Sequence, residues 1–197
     1  MDSFHSPAPS RAFGCTGVQA VEEGLQDGNF GYSLAMASPR YRLATPSDAY
    51  EIAVMSRYLV EVGLRGWTWP PERVAKAIRA RDTNVLVADV KDNLIAFAIM
   101  DCGDTSAHLS LLAVKPSHQR CGIGKRLMAW LEEAALTAGI VTVGLELRSN
   151  NFAARTFYRL LGYKETSYVP GYYRGVETAV KMSRDIRRVM SDRISPA

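Results

Sequence analysis

The spacing of hydrophobic residues changes several times along the chain, and each change marks an element. Tyr41-Arg42-Leu43 reads as a short strand, and Thr45-Pro46-Ser47-Asp48 then supplies a helix-entry signal for a segment running to about Leu64. Pro70-Pro71 introduces a second helix over Glu72 to Arg81, with Val74, Ala77 and Ile78 at helical spacing. From Asn84 the rhythm becomes that of strands. Val85 to Ala88 and Leu94 to Met100 are joined at Lys91-Asp92-Asn93, and Leu109 to Val114 makes a third strand, halted by Pro116. Between Gly122 and Gly139, residues Ile123, Leu127, Leu131, Ala134 and Ala138 recur at three- and four-residue steps. They form one apolar helical stripe, with Gly139 placed as its cap. Val141, Val143, Leu145 and Leu147 then alternate with Thr142, Gly144, Glu146 and Arg148, so this strand has one apolar face and one face carrying Glu146. A short helix over Phe152 to Leu161, its core face expected at Ala153, Phe157, Leu160 and Leu161, and strands around Tyr163 to Tyr168 and Thr178 to Met182 complete the order. This order predicts an α/β fold, a mixed sheet with flanking helices.

Composition narrows the class. The chain is 47% hydrophobic and 22% charged, which suits one globular domain with a substantial core. Residues 1–39, rich in Ser, Pro, Gly and Ala without a sustained period, read as a flexible leader; 40–185 form the domain and 186–197 a tail. The net charge of +4 is spread among both signs with no basic block, so a nucleic-acid partner is not expected. No apolar run is long enough to span a bilayer, so no membrane partner is expected either. Cys15, Cys102 and Cys121 are odd in number and lack metal-ligand spacing, which predicts free thiols in a reducing compartment, hence a cytoplasmic protein. No histidine pair has metal spacing, and no metal is expected.

The most specific signal is the run from Val114 to Lys125: a strand end, a loop with Gly122 and Gly124, and a helix start. Amides converging at a helix N-terminus, glycines that allow close approach and the helix dipole all favour an anion. Neither nucleotide fingerprint fits, since the dinucleotide motif needs another glycine upstream and Lys125 is followed by Arg126 rather than Ser or Thr.

Gln119, Gly122 and Gly124 match the Gln/Arg-x-x-Gly-x-Gly/Ala pyrophosphate signature, and the chain over about 41–185 resembles the GNAT N-acetyltransferase superfamily. Leu145 to Asn151 and Phe157 to Tyr163 are most similar to its ribosomal-protein alanine N-acetyltransferase group. The resemblance implies a mostly antiparallel sheet with a splayed strand pair that holds acetyl-CoA. The pantetheine arm would lie on backbone groups of Leu112, Ala113 and Val114, and the pyrophosphate on the amides of Gln119, Arg120, Cys121, Gly122, Ile123, Gly124 and Lys125. For Leu112 and Val114, core packing is compatible with this because the backbone does the binding. Cys121 is read as a loop residue rather than a nucleophile, because direct transfer in a ternary complex needs no acyl-cysteine.

Acetyl transfer requires a neutral amine, a polarised thioester and a proton for the departing thiolate. The resemblance gives the base position to Glu146 and the acid position to Tyr158, which would also reach the cofactor sulfur. The alternatives are a solvated carboxylate on a polar strand face and a packed aromatic. Asn151 matches a pantetheine-bonding position and could equally cap the following helix. His108 is a backup base. Trp67, Trp69, Tyr172 and Tyr173 either line an acceptor groove or belong to the core. An α-amine is neutral more often than a lysine amine at neutral pH, and Gly171 to Gly175 resembles the alanine N-acetyltransferase ending. Both favour a peptide or protein N-terminus as acceptor, and the protein itself is expected to be a monomer or homodimer. A small-molecule amine is the alternative acceptor, and a non-catalytic CoA-binding regulator the alternative function.

Overall fold

The computed structural model describes residues 38–64 and 66–187. The expected leader lies almost wholly outside the described residues, as does most of the tail. Seven strands form one sheet in the order β1-β2-β3-β4-β5-β7-β6. They are β1 (Arg40–Leu43), β2 (Thr83–Val90), β3 (Asn93–Cys102), β4 (Ser106–Val114), β5 (Thr142–Arg148), β6 (Lys164–Tyr173) and β7 (Glu177–Asp185). The helices are α1 (Ala49–Leu59), α2 (Pro71–Arg79), α3 (Ile123–Thr137) and α4 (Phe152–Leu160). All strand neighbours are antiparallel except β4 and β5, which run parallel.

Alternation along the strands separates two cores. Leu86, Ala98, Leu112, Leu127, Leu145 and Tyr158 pack on one face beneath α3 and α4. Val85, Val87, Phe97, Ile99, Leu111 and Ala113 pack on the other beneath α1 and α2. The period-2 side-chain alternation of a strand is what lets one sheet serve both.

Three expected elements change on folding. The helix expected to reach about Leu64 ends at Leu59. There the amides of Val60 and Glu61 both reach the Ser56 carbonyl, and the buried Glu61 carboxylate accepts from Ser56 Oγ and from the amides of Thr68 and Trp69. A carboxylate taking donors from both sides of a turn closes the helix and fixes the following loop. On α4 the core face is Ala154 and Tyr158, with Phe157 and Leu161 partly buried against it as expected, whereas Leu160 is 80% exposed and Ala153 lies outside the core. The short helix has apolar residues on two sides, and periodicity alone does not say which side meets the sheet. Lastly, β6 and β7 are longer than expected and take in Tyr172 and Tyr173.

Candidate active site

The site begins where two parallel strands part. β4 and β5 pair only over Ser106–Leu109 against Thr142–Leu145. Beyond that they diverge, and Glu146 is the first residue of β5 past the fork. A bulge accompanies the divergence: Met100 pairs with Leu109 and Ile99 with Leu111, leaving Ser110 as the extra residue of β4.

Backbone groups of β4 face the fork in alternation. The Lys115 amide bonds the Ile95 carbonyl on β3, so Val114 and Leu112 turn their amides and carbonyls away from β3 and into the gap. Ala113 is turned the other way, towards β3. Its expected contact with a pantetheine arm is therefore corrected: Leu112 and Val114 carry the gap-facing groups, and of these the Val114 carbonyl already accepts from Gln119. The Gln119 side chain, buried, donates to the Val114 carbonyl at 2.7 Å and ties the loop to the strand end.

The loop itself is shaped by handedness. Arg120 and Gly122 both have positive φ, 64° and 77°, and Gly122 is the N-cap of α3. The first intrahelical donor is the Arg126 amide, bonded to the Gly122 carbonyl, so the amides of Ile123, Gly124 and Lys125 open the helix without an intrahelical acceptor. The Gln119 amide is instead committed to the Pro116 carbonyl, which removes it from the expected pyrophosphate set. At Gly124 an added Cβ would lie 3.3 Å from Phe157 Cζ, so α3 and α4 approach closely there and a larger side chain would press on the Phe157 ring. A cleft of about 660 Å³ runs over this helix start, with Arg120 and Lys125 on one side and Ala153, Phe157 and Leu160 on the other. The apolar residues expected to face the core from α4 are the wall of this cleft.

Cations, helix-start amides and an apolar wall fit a ligand with a pyrophosphate and a long arm. Cys102 is a free thiol, but Cys121 is disulfide-bonded, so the expectation of free thiols fails at Cys121. Cys15 lies outside the described residues.

Past the fork the site is made of side chains. Glu146, its side chain 10% exposed, places Oε2 2.5 Å from His108 Nε2 and Oε1 3.5 Å from Lys181 Nζ. Burial pushes the Glu146 carboxyl up, but the His108 contact and Lys181 outweigh it and hold the group below the usual carboxylate range. Burial and the neighbouring Glu146 carboxylate push the Tyr172 phenol up. Tyr173 is buried and packs edge-on against Tyr172 at 5.2 Å. Trp69 is 3% exposed within the core beneath α1 and α2, with Arg73 over its ring, so it offers no wall to an acceptor. Trp67 is exposed in the loop after α1, near which Arg174 approaches Gly66. The four aromatics expected in one groove thus divide: Trp67 and Tyr172 border open space and Trp69 and Tyr173 are interior.

Tyr158 is fully buried, stacked edge-on with Phe157 at 5.0 Å and Tyr163 at 5.6 Å. Asn151 caps α4, accepting the Ala154 amide at 3.2 Å. Sequence reasoning missed Lys181, Ser110 and Asp101. Lys181 stands directly across from Glu146 in the β5–β7 register, a pairing visible only once strand order is known.

A model of the "Acetyltransferase (GNAT) domain" matches residues 81–165. A [Ribosomal protein bS18]-alanine N-acetyltransferase of Salmonella typhimurium is 38% identical over 104 residues, 51% of this chain and 69% of that protein. The chain belongs to the GNAT acetyltransferase family. Among solved GNAT structures, the ribosomal-protein-S18-alanine N-acetyltransferase from Escherichia coli superposes with a TM-score of 0.63 at 25% identity, covering 76% of this chain and 94% of that one. The fold is also that of the PaiA N-acetyltransferase from Thermoplasma acidophilum in complex with coenzyme A, with a TM-score of 0.63 at 22% identity over 75% and 99% of the two chains. This GNAT protein is an acetyl-CoA-dependent N-acetyltransferase, and the helix-start cleft has the groups such a cofactor requires. No helix among the described residues is long and apolar enough to cross a membrane.

Proposed function

We propose that this enzyme acetylates the α-amine of a peptide or protein N-terminus, with Glu146 on the proton-accepting side and Tyr158 as the proton donor to the departing sulfur. The observation that carries this reading is the position of Glu146, the first residue past the β4–β5 fork on the strand face away from α3. Acetyl-CoA supplies the activated acyl group as a thioester. The amides of Ile123 to Lys125 receive its pyrophosphate, Leu112 and Val114 offer backbone groups to its arm, and the wall of Ala153, Phe157 and Leu160 excludes water along it. An α-amine, with a reference pKa of about 8, loses its proton to a carboxylate-centred site far more readily than a lysine amine at about 10.4. The relatives named for alanine N-acetylation of a ribosomal protein support a small first residue and a cytoplasmic setting. The cysteine pattern no longer supports that setting, since Cys121 is bonded.

The deciding experiment measures thiol release with acetyl-CoA and alanine-initiated peptides, against the same peptides blocked at the N-terminus but retaining lysine, and against polyamines and aminoglycosides. Acetylation confined to free N-termini is expected. Equal rates on blocked peptides, or preference for the small amines, would overturn the acceptor assignment.

A further inference from the structure

Glu146 does not stand alone in its site. It ends a chain of hydrogen bonds that runs over four strands on one face of the sheet, from β2 to β5. Thr83 Oγ1 donates to Asp101 Oδ1 at 2.9 Å, and Ser110 Oγ donates to Asp101 Oδ2 at 2.5 Å. His108 Nδ1 lies 3.4 Å from Ser110 Oγ, and His108 Nε2 lies 2.5 Å from Glu146 Oε2. Asp101 sits opposite His108 in the β3–β4 register, and the bulge at Ser110 lets the hydroxyl reach between them.

Hydrogen-bond capacity fixes the order of protons along this chain. A serine hydroxyl has one proton, and the Asp101 carboxylate, an acceptor only, takes it. Ser110 Oγ therefore faces His108 with a lone pair, which selects the ring tautomer protonated at Nδ1. Nε2 is then an acceptor aimed at another acceptor, Glu146 Oε2, across a gap wide enough for one proton. Two acceptors so placed can hold one proton between them.

We infer that the proton acceptor for the incoming amine is the Glu146–His108 pair acting as one unit, with Ser110 and Asp101 as positioning residues that fix the tautomer of the ring. This rests on the reading of Glu146 given above. The ammonium N–H bond breaks and its proton lodges between Oε2 and Nε2. The freed electron pair on nitrogen forms the N–C bond as the C–S bond breaks, with its electrons on sulfur. The second amine proton replaces the one that sulfur receives, and the pair returns its own proton to solvent. The charged and titratable groups around the pair are Asp101 from β3, Lys181 from β7 and Tyr172 and Tyr173 from β6, with Arg73 of α2 in electrostatic range of Asp101.

The test uses the full chain with acetyl-CoA and an alanine-initiated peptide. His108→Gln keeps a donor towards Glu146 but cannot take up a proton. It should lower kcat about tenfold or more near neutral pH. It should also flatten the acidic limb of the kcat profile and leave acetyl-CoA affinity unchanged. Ser110→Ala should lower kcat less and release the tautomer. Nitrogen NMR of the ring, independent of turnover, should find the neutral form protonated at Nδ1 in the wild type and a mixture in Ser110→Ala. An unchanged pH profile in His108→Gln alongside a disabled Glu146→Gln would overturn the pair and leave the Glu146 reading standing. Full activity of Glu146→Gln would overturn both. A neutral ring protonated at Nε2 in the wild type would overturn the positioning role of Ser110 and Asp101.

Discussion

The two sides of the β4–β5 fork are built from different materials. On the proposed cofactor side the groups are backbone: the amides opening α3, the gap-facing groups of Leu112 and Val114, and glycines whose value is what they lack. On the proposed amine side they are side chains, His108, Glu146, Lys181 and Tyr172, drawn from four strands. A backbone site depends on chain geometry and tolerates most side chains that respect it. A side-chain site depends on the identity and charge of each member.

Substitutions should therefore separate the two. The largest effect is expected from Glu146→Gln, which should cut kcat by about 100-fold or more while acetyl-CoA affinity, read by calorimetry, stays the same. A matching loss of affinity would erase the distinction. Next, Gly124→Val places its Cβ against the Phe157 ring and should weaken acetyl-CoA binding about tenfold, at an overpacking cost of about 1–3 kcal/mol in denaturant unfolding. The amine KM should not move. Gln119→Ala leaves the buried Val114 carbonyl without its donor, costing about 1–3 kcal/mol and a modest part of cofactor affinity. The smallest effect on turnover is expected far from the fork, at Asp48. Its hydrogen bonds from Arg42 lower its carboxyl to about 2 from 3.8. A depressed carboxyl contributes stability that is fully present above its unfolded value and lost as pH falls through the folded one. Asp48→Asn should thus lower stability above about pH 4 and flatten its decline between about 4 and 2, with kcat unchanged.

How much of this was legible in the sequence follows the same division. The loop at Gln119 to Gly124 is contiguous, so its glycines, helix start and strand end could be read together. The alternation through Val143, Leu145 and Leu147 likewise placed Glu146 on the opposite face of its strand. Strand order was not legible, and with it the meeting of Asp101, His108 and Lys181 around Ser110 and Glu146. Large apolar residues did not declare their side. Trp69 and Tyr173 are interior, while Leu160, assigned to the core, faces the cleft, because a short helix with two apolar sides does not declare which one is wet.

The turn after α1 has a consequence for how this catalyst could be diversified. Its anchors grip the main chain of the loop. Arg57 donates to the carbonyls of Leu64 and Gly66, Arg148 to that of Val62, and Glu61 accepts the amides of Thr68 and Trp69. The side chains of Val62, Leu64 and Trp67 take no part in that clamp. Randomising these three positions, with Gly63 and Gly66 kept for their positive φ, would vary the surface of the turn that Arg148 ties to β5 while the clamp remains in place. New acceptors could be selected from such a library without re-evolving the chemistry.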